Sequence, residues 1–128
     1  MNKKIIIPVD VLNYDIEVII TDDVCDAIVK LDKENNDKNN SFSDVVSGFE
    51  EAFSFYCDQY KDGLITKRIG MILDQDVSET VLMHECLHTA WYTLEHVGID
   101  VTWDSHEMLA LLQGSLYVKI KAKILKCN

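Results

Sequence analysis

Apolar residues crowd the start of the chain, over residues 4–21, where Ile and Val dominate and only Pro8 and the Asn13-Tyr14-Asp15 triplet interrupt them. β-branched residues divided by turn formers predict two short strands joined by a turn, a hairpin that opens the fold. After Thr21-Asp22-Asp23, a helix-starting cluster, Val24, Ala27, Ile28 and Leu31 recur at the spacing of one helix face and predict a short amphipathic helix. From Asp32 to Asn40 the chain is wholly polar, with four Asn and no apolar residue. Burial cannot offset the ordering entropy of such a run, so a mobile loop is expected over about 32–42.

Ser43 or Asp44 is suited to cap a second helix, in which Val45, Phe49, Ala52, Phe53 and Tyr56 form a stripe running on toward Tyr60 before Asp62-Gly63 stops it. Between Gly63 and Asp74, the residues Leu64, Ile65, Thr66, Ile69, Met71, Ile72 and Leu73 predict one long strand or a pair broken at Gly70. A helix then starts near Asp76, with Glu79 three positions on as a capping box, and ends at Gly98. A last helix is expected from about Asp104 to Leu125, with Leu109, Leu112, Leu116 and Ile120 on one face. This order predicts an α+β fold, a small sheet of the hairpin and the 64–74 strand packed on the last two helices. At 128 residues, with no repeat and no separating linker, a single domain over 1–128 is expected.

Charge narrows the range of partners. The 22 acidic residues outnumber the 12 basic ones, a net charge of -10 that repels phosphate backbones, so direct nucleic-acid binding through a basic face is disfavoured. Cys25, Cys57, Cys86 and Cys127 are scattered and make no Cys-x-x-Cys pair, which predicts reduced thiols and a cytoplasmic setting. No run of about 18 apolar residues exists, so no membrane partner is expected.

The chemistry concentrates in residues 84–88, His-Glu-Cys-Leu-His. On a helix of 3.6 residues per turn, His84 and His88 share one face and can grip one metal ion. Glu85 sits about 100° round the helix, where it can reach a water in the open coordination position of a catalytic-type zinc ion. Such an ion lowers the pKa of its water to about 7, and Glu85 is the expected general base. Cys86 and Leu87 point largely away, toward a core.

The third donor is less sharply marked. A longer motif with a third His is excluded, because Trp91 stands where Gly is needed and Leu94 where the His would fall. Glu107 follows after an 18-residue gap, at the start of the next helix, and a helical hairpin can bring it back to the metal. Asp104 and His106 are substitutes, and Asp104 with Glu107 could instead form a purely structural capping box. His106 could also stabilise an oxyanion from outside the coordination shell. Tyr92 and His96 share the side of His88 by spacing and could line a cleft, while Trp91 and Trp103 flank the connection to the last helix and could wall it.

The His84-Glu85-Cys86-Leu87-His88 helix, the 18-residue gap and the Glu107-Met108-Leu109-Ala110 segment resemble the gluzincin branch of zinc metallopeptidases. The order of strand, long helix, Gly-ended turn and Glu-bearing helix also resembles small zincin-like proteins of tailed phages and prophages, where Gly114 matches a Gly after the Glu. The resemblance implies a zincin-like fold with one zinc ion on His84, His88 and Glu107, and Glu85 as the base of peptide-bond hydrolysis. It also implies a peptide or protein substrate, which the edge of the 64–74 strand could hold in extended form by adding it as another strand. The chain lacks the large second subdomain of full-sized gluzincins, and His106 stands where they carry Asn. The alternative expectation is a non-catalytic phage-type protein whose zinc is structural and whose acidic surface meets a host protein.

Overall fold

The computed structural model describes residues 2–34 and 51–127. Four strands form one sheet, β1 (Lys3–Val9), β2 (Tyr14–Thr21), β3 (Ala52–Lys61) and β4 (Leu64–Asp74), in the order β1-β2-β4-β3. Three helices accompany them, α1 (Val24–Glu34), α2 (Glu79–His96) and α3 (His106–Cys127). The fold is therefore α+β, as the element order predicts. β1 and β2 form the expected hairpin, turning through the 3-10 turn Asp10–Leu12 and the left-handed Asn13.

The segment expected to be a second helix is, over its described part, a strand. β3 pairs antiparallel with β4 from Ala52↔Leu73 to Lys61↔Leu64, and Asp62 and Gly63 between them both take positive φ, 53° and 78°. That is the two-residue hairpin turn for which Asp-Gly is a strong signal, so the pair expected to stop a helix instead reverses a strand. Alternation then sorts the side chains. Phe53, Phe55 and Cys57 pack toward α1, while Ser54 and Glu85 meet on the face toward α2. The helix-like spacing of Ala52, Phe53 and Tyr56 does not survive this, because aromatic residues with a partner strand favour period two. Val45 and Phe49 lie outside the described residues. So does the expected loop from residue 35 onward, whereas Asp32–Glu34 complete α1.

The sheet is covered on both faces. On one face Ile7, Ile16, Val18, Met71 and Leu73 pack against Leu82, Cys86, Ala90 and Leu94 of α2 and Leu109, Leu116 and Ile120 of α3. On the other, Phe55, Cys57 and Ile72 pack against Val24, Ala27, Ile28 and Leu31 of α1. β4 runs unbroken through Gly70, parallel to β2 on one side and antiparallel to β3 on the other. It is not an edge strand, which corrects the expectation that its edge receives a substrate. Among the described residues the sheet edges are β1 and β3.

Helix ends explain how α2 is held. Its cap is Ser78, whose hydroxyl accepts from the Val81 amide at 3.2 Å, so the expected capping box of Asp76 and Glu79 is not formed. Glu79 is instead drawn to α3, where it accepts from Lys121 and from Tyr117. At the other end Gly98, at φ 82°, closes the helix through Ile99 N to Leu94 O at 2.9 Å and Gly98 N to Glu95 O at 3.1 Å. Only a residue free to take left-handed backbone makes that double closure cheaply. Together with the Gln113 amide donating to the Met83 carbonyl at 3.1 Å, these contacts fix α2 and α3 as an antiparallel pair.

Candidate metal centre

The helical spacing of His84 and His88 has the expected consequence: both rings stand on one exposed face of α2, with centroids 4.8 Å apart. Their Nε2 atoms approach to 3.0 Å. Two ring nitrogens, each about 2.0–2.1 Å from a tetrahedral zinc ion, stand roughly 3.3 Å apart, so small ring rotations would admit an ion between them. Two lone pairs facing each other at this distance repel unless a proton or a cation sits between them.

Glu85 is buried, only 9% exposed, and a buried carboxylate requires hydrogen-bond donors. The Ser54 hydroxyl on β3 supplies one by donating to Glu85 Oε2, and the same oxygen lies 3.2 Å from the Glu85 carbonyl. Thr89, one turn along α2 and fully buried, places its hydroxyl 3.5 Å from Ser54 Oγ. The acid is thus wedged between its own helix and the edge strand. Cys86, adjacent in sequence, points into the core, where burial first and the Glu85 charge second push its thiol up to about 12. It stays a neutral apolar packing group, as its place in the motif implies.

An aromatic row extends the site along α2. The Tyr92 ring stacks near His88 with centroids 6.3 Å apart, and Tyr56 of β3 lies 5.8 Å from Tyr92. Tyr56 Oη is 3.3 Å from His96 Nδ1, and the Tyr14 ring is 4.5 Å from that imidazole. Burial, then the Glu85 and Glu95 charges, raise the Tyr92 phenol, which keeps it a proton donor. The helical side assigned to Tyr92 and His96 by spacing is therefore the side of the site. Trp91 is exposed as well, and the same spacing sets it within about 20° of His84 round α2.

Glu107, Asp104 and His106 sit apart from the pair. α3 begins at His106, with Ser105 immediately before it, so Asp104 does not occupy the capping position that a box with Glu107 requires. The Ser105 hydroxyl serves the connecting loop, accepting from Thr102 N at 2.8 Å and donating to the Asp100 carbonyl. The exposed His106 ring lies 5.1 Å from the Trp103 ring. Glu107 is exposed, about 160° round the helix from the buried Leu109. Counting along the antiparallel pair from Met83 and Gln113, it lies level with Thr89, the residue after His88. Among the described residues no three His, Cys, Asp or Glu side chains converge as a metal-holding group. The structure brings together His84 and His88, turns the neighbouring Glu85 to Ser54, and leaves Glu107 outside.

Ser54, Thr89 and Tyr56 escaped sequence reasoning. Ser54 and Tyr56 fell in a segment read as helix, and the signal that would have found them is the Asp62-Gly63 turn, which folds β3 back along β4. No helix among the described residues is long and apolar enough to cross a membrane. In comparisons with known proteins the chain matches no family model, no curated protein and no solved structure.

Proposed function

We propose that the chain is a zinc-dependent hydrolase of peptide bonds, with a zincin-like site built on α2. The observation that carries this reading is the approach of His84 and His88, Nε2 to Nε2 at 3.0 Å, on the helix whose next residue in sequence, Glu85, is held from the edge strand. The donor chemistry fits in part. Two neutral imidazoles suit zinc, and the third donor is proposed to be Glu107, which reaches the pair if the first turn of α3 rotates toward α2. When bound, zinc would supply Lewis acidity, polarising a carbonyl and acidifying water.

The chain's own residues then have defined tasks. His84 and His88 bind through Nε2. Glu85, fixed by Ser54, takes a proton from the attacking water on a carboxylate oxygen and passes it to the leaving amine. Tyr92, held protonated beside His88, is suited to donate a hydrogen bond to the oxygen that gains charge. β3 can pair with an extended peptide through its outer edge, and this strand replaces β4 as the proposed substrate rail. The fixed alignment removes rotational freedom from the reacting groups.

The test joins elemental analysis with activity on a library of unstructured peptides. The wild-type protein should bind one zinc per chain and cleave; Glu85→Gln should keep the zinc and lose cleavage. Full activity in that variant, or a wild-type protein that refuses zinc, overturns the reading.

A further inference from the structure

α3 is apolar on two sides. One side, Leu109, Leu116 and Ile120, is buried against the sheet and α2. The other follows a strict alternation of three and four residues: Met108, Leu111, Ser115, Val118, Ala122 and Leu125. This is the seam pattern of two helices packed along their length. Here nothing in the described chain covers it: Leu111, Val118 and Leu125 are 67%, 66% and 67% exposed. Scattered exposed apolar residues need no explanation, but three at intervals of seven on one face form a continuous stripe.

Two further features point to the occupant. Gly114 lies on the same outer side, and a Cβ there would meet nothing within 4 Å, so no close contact inside the chain demands glycine in the middle of a helix. With Ser115 and Ala122 it makes a low stretch over which another helix can approach. Charge is the second feature. From Met108 onward α3 carries no acidic residue in a chain of net charge -10, yet Lys119, Lys121 and Lys123 lie in its second half, while Asp100 and Asp104 precede its start.

We infer that α3 is the interface of a two-fold symmetric dimer, its outer stripe packed antiparallel on the same stripe of a second copy. Antiparallel alignment puts the lysine end of one α3 near the aspartates before the other, whereas parallel alignment stacks lysine on lysine. It also sets large residues on small ones, Leu111 against Ala122 and Val118 against Ser115, with Met108 against Leu125 at the ends. A two-fold axis through the helix midpoint makes both halves equivalent and closes the assembly at two copies. Beside the stripe, an apolar groove of about 420 Å³ walled by Leu12, Leu94, Met108 and Leu111 is open to receive a partner side chain. The inference uses neither the imidazole pair nor Glu85, so it stands or falls apart from the proposed hydrolase.

Sedimentation equilibrium on the full chain tests it. The wild type should reach twice the 14.6 kDa monomer mass at ~100 µM, within the range of ordinary specific interfaces. Val118→Glu and Leu111→Glu should each weaken association by ~100-fold or more, with circular dichroism unchanged because both sites are exposed in the monomer. Ile6→Glu, at an exposed apolar position on the β1 edge, should leave the dimer intact. Acid-to-amine cross-linking between heavy and light isotope-labelled copies should join Lys123 of one copy to Asp100 or Asp104 of the other. A wild type that stays monomeric, or a dimer indifferent to Val118→Glu, overturns the interface. Links between like ends of the two helices overturn its antiparallel sense.

Discussion

The Ser54 hydroxyl donates to the Glu85 carboxylate across the junction of β3 and α2. The acid of the helical motif is therefore positioned by the sheet, from a strand that reaches this place only because Asp62 and Gly63 turn it back. An acid carried by α2 alone would be free to swing among several rotamers, and on the proposed function each such freedom lost in advance favours the reacting geometry.

Ser54→Ala removes that bond without touching the imidazoles. On the proposed function, kcat/KM should fall about 10-fold, mostly in kcat, while zinc stoichiometry stays at the wild-type value. The stability cost should be near 1 kcal/mol, as for one hydrogen bond. Peptide cleavage and metal analysis on the same preparation check this, and unchanged kcat would remove Ser54 from any positioning role.

Gly70 is the backbone position on which the two sides of β4 depend. A Cβ there would collide with the Glu17 carbonyl oxygen and come within 2.8 Å of Phe55 Cζ. The first neighbour is backbone of a paired strand and cannot swing aside. Gly70→Ala should therefore destabilise by about 4 kcal/mol, at the severe end for single substitutions. Urea unfolding gives the value; a loss under about 1 kcal/mol would show that β2 and β4 can separate locally.

How far the sequence discloses this architecture depends on which neighbours each residue has. The His84 and His88 pairing is legible because a helix fixes it locally, over one turn. α1, the hairpin β1–β2 and the Gly98 ending are legible for the same reason, since turn formers and caps act on adjacent residues. β3 is not, because Phe53, Phe55 and Cys57 declare their face only against β4 and α1, and their helical spacing with Ala52 and Tyr56 competes until a partner strand is present. The direction in which Glu107 points is illegible for a related reason. An 18-residue gap sets the level of Glu107 along α2 but not its rotation about α3, which follows from where Leu109, Leu116 and Ile120 are buried.

On the α1 side of the sheet, Arg68 makes a two-point contact with Glu17 at 2.7 and 3.0 Å and reaches Glu34 at 2.7 Å. Burial pushes the Glu17 carboxyl up, but hydrogen bonds from Arg68 and Lys4 outweigh it and hold the group below its ordinary value. A carboxyl depressed in the folded state adds stability that is complete above its unfolded pKa, near 4.3, and is lost as pH falls through the folded one. Arg68→Leu should therefore cost about 2–3 kcal/mol at pH 7, the penalty for stranding a mostly buried charge. The gap between variant and wild type should shrink below about pH 4.5, where Glu17 takes up its proton first in the variant. Urea midpoints across this range decide it, and a gap independent of pH would show that Arg68 acts through packing alone.

On the proposed function, Glu107 would link the metal site to the start of α3, and its displacement from the imidazoles would make zinc binding a structural event. If it is the third donor, the first turn of α3 must rotate to bring the carboxylate over His84 and His88. That rotation would disturb the Trp103 ring, which is 87% exposed and 5.1 Å from His106. Zinc added to metal-free protein should therefore shift Trp103 emission, read in a Trp91→Phe background so that the second indole is silent. Glu107→Ala should weaken zinc binding by about 100-fold and abolish the shift, whereas His84→Ala should abolish binding altogether. A Glu107→Ala protein that binds zinc as tightly as the wild type would confine the site to the two imidazoles, leaving the carboxylate on the outer face of α3.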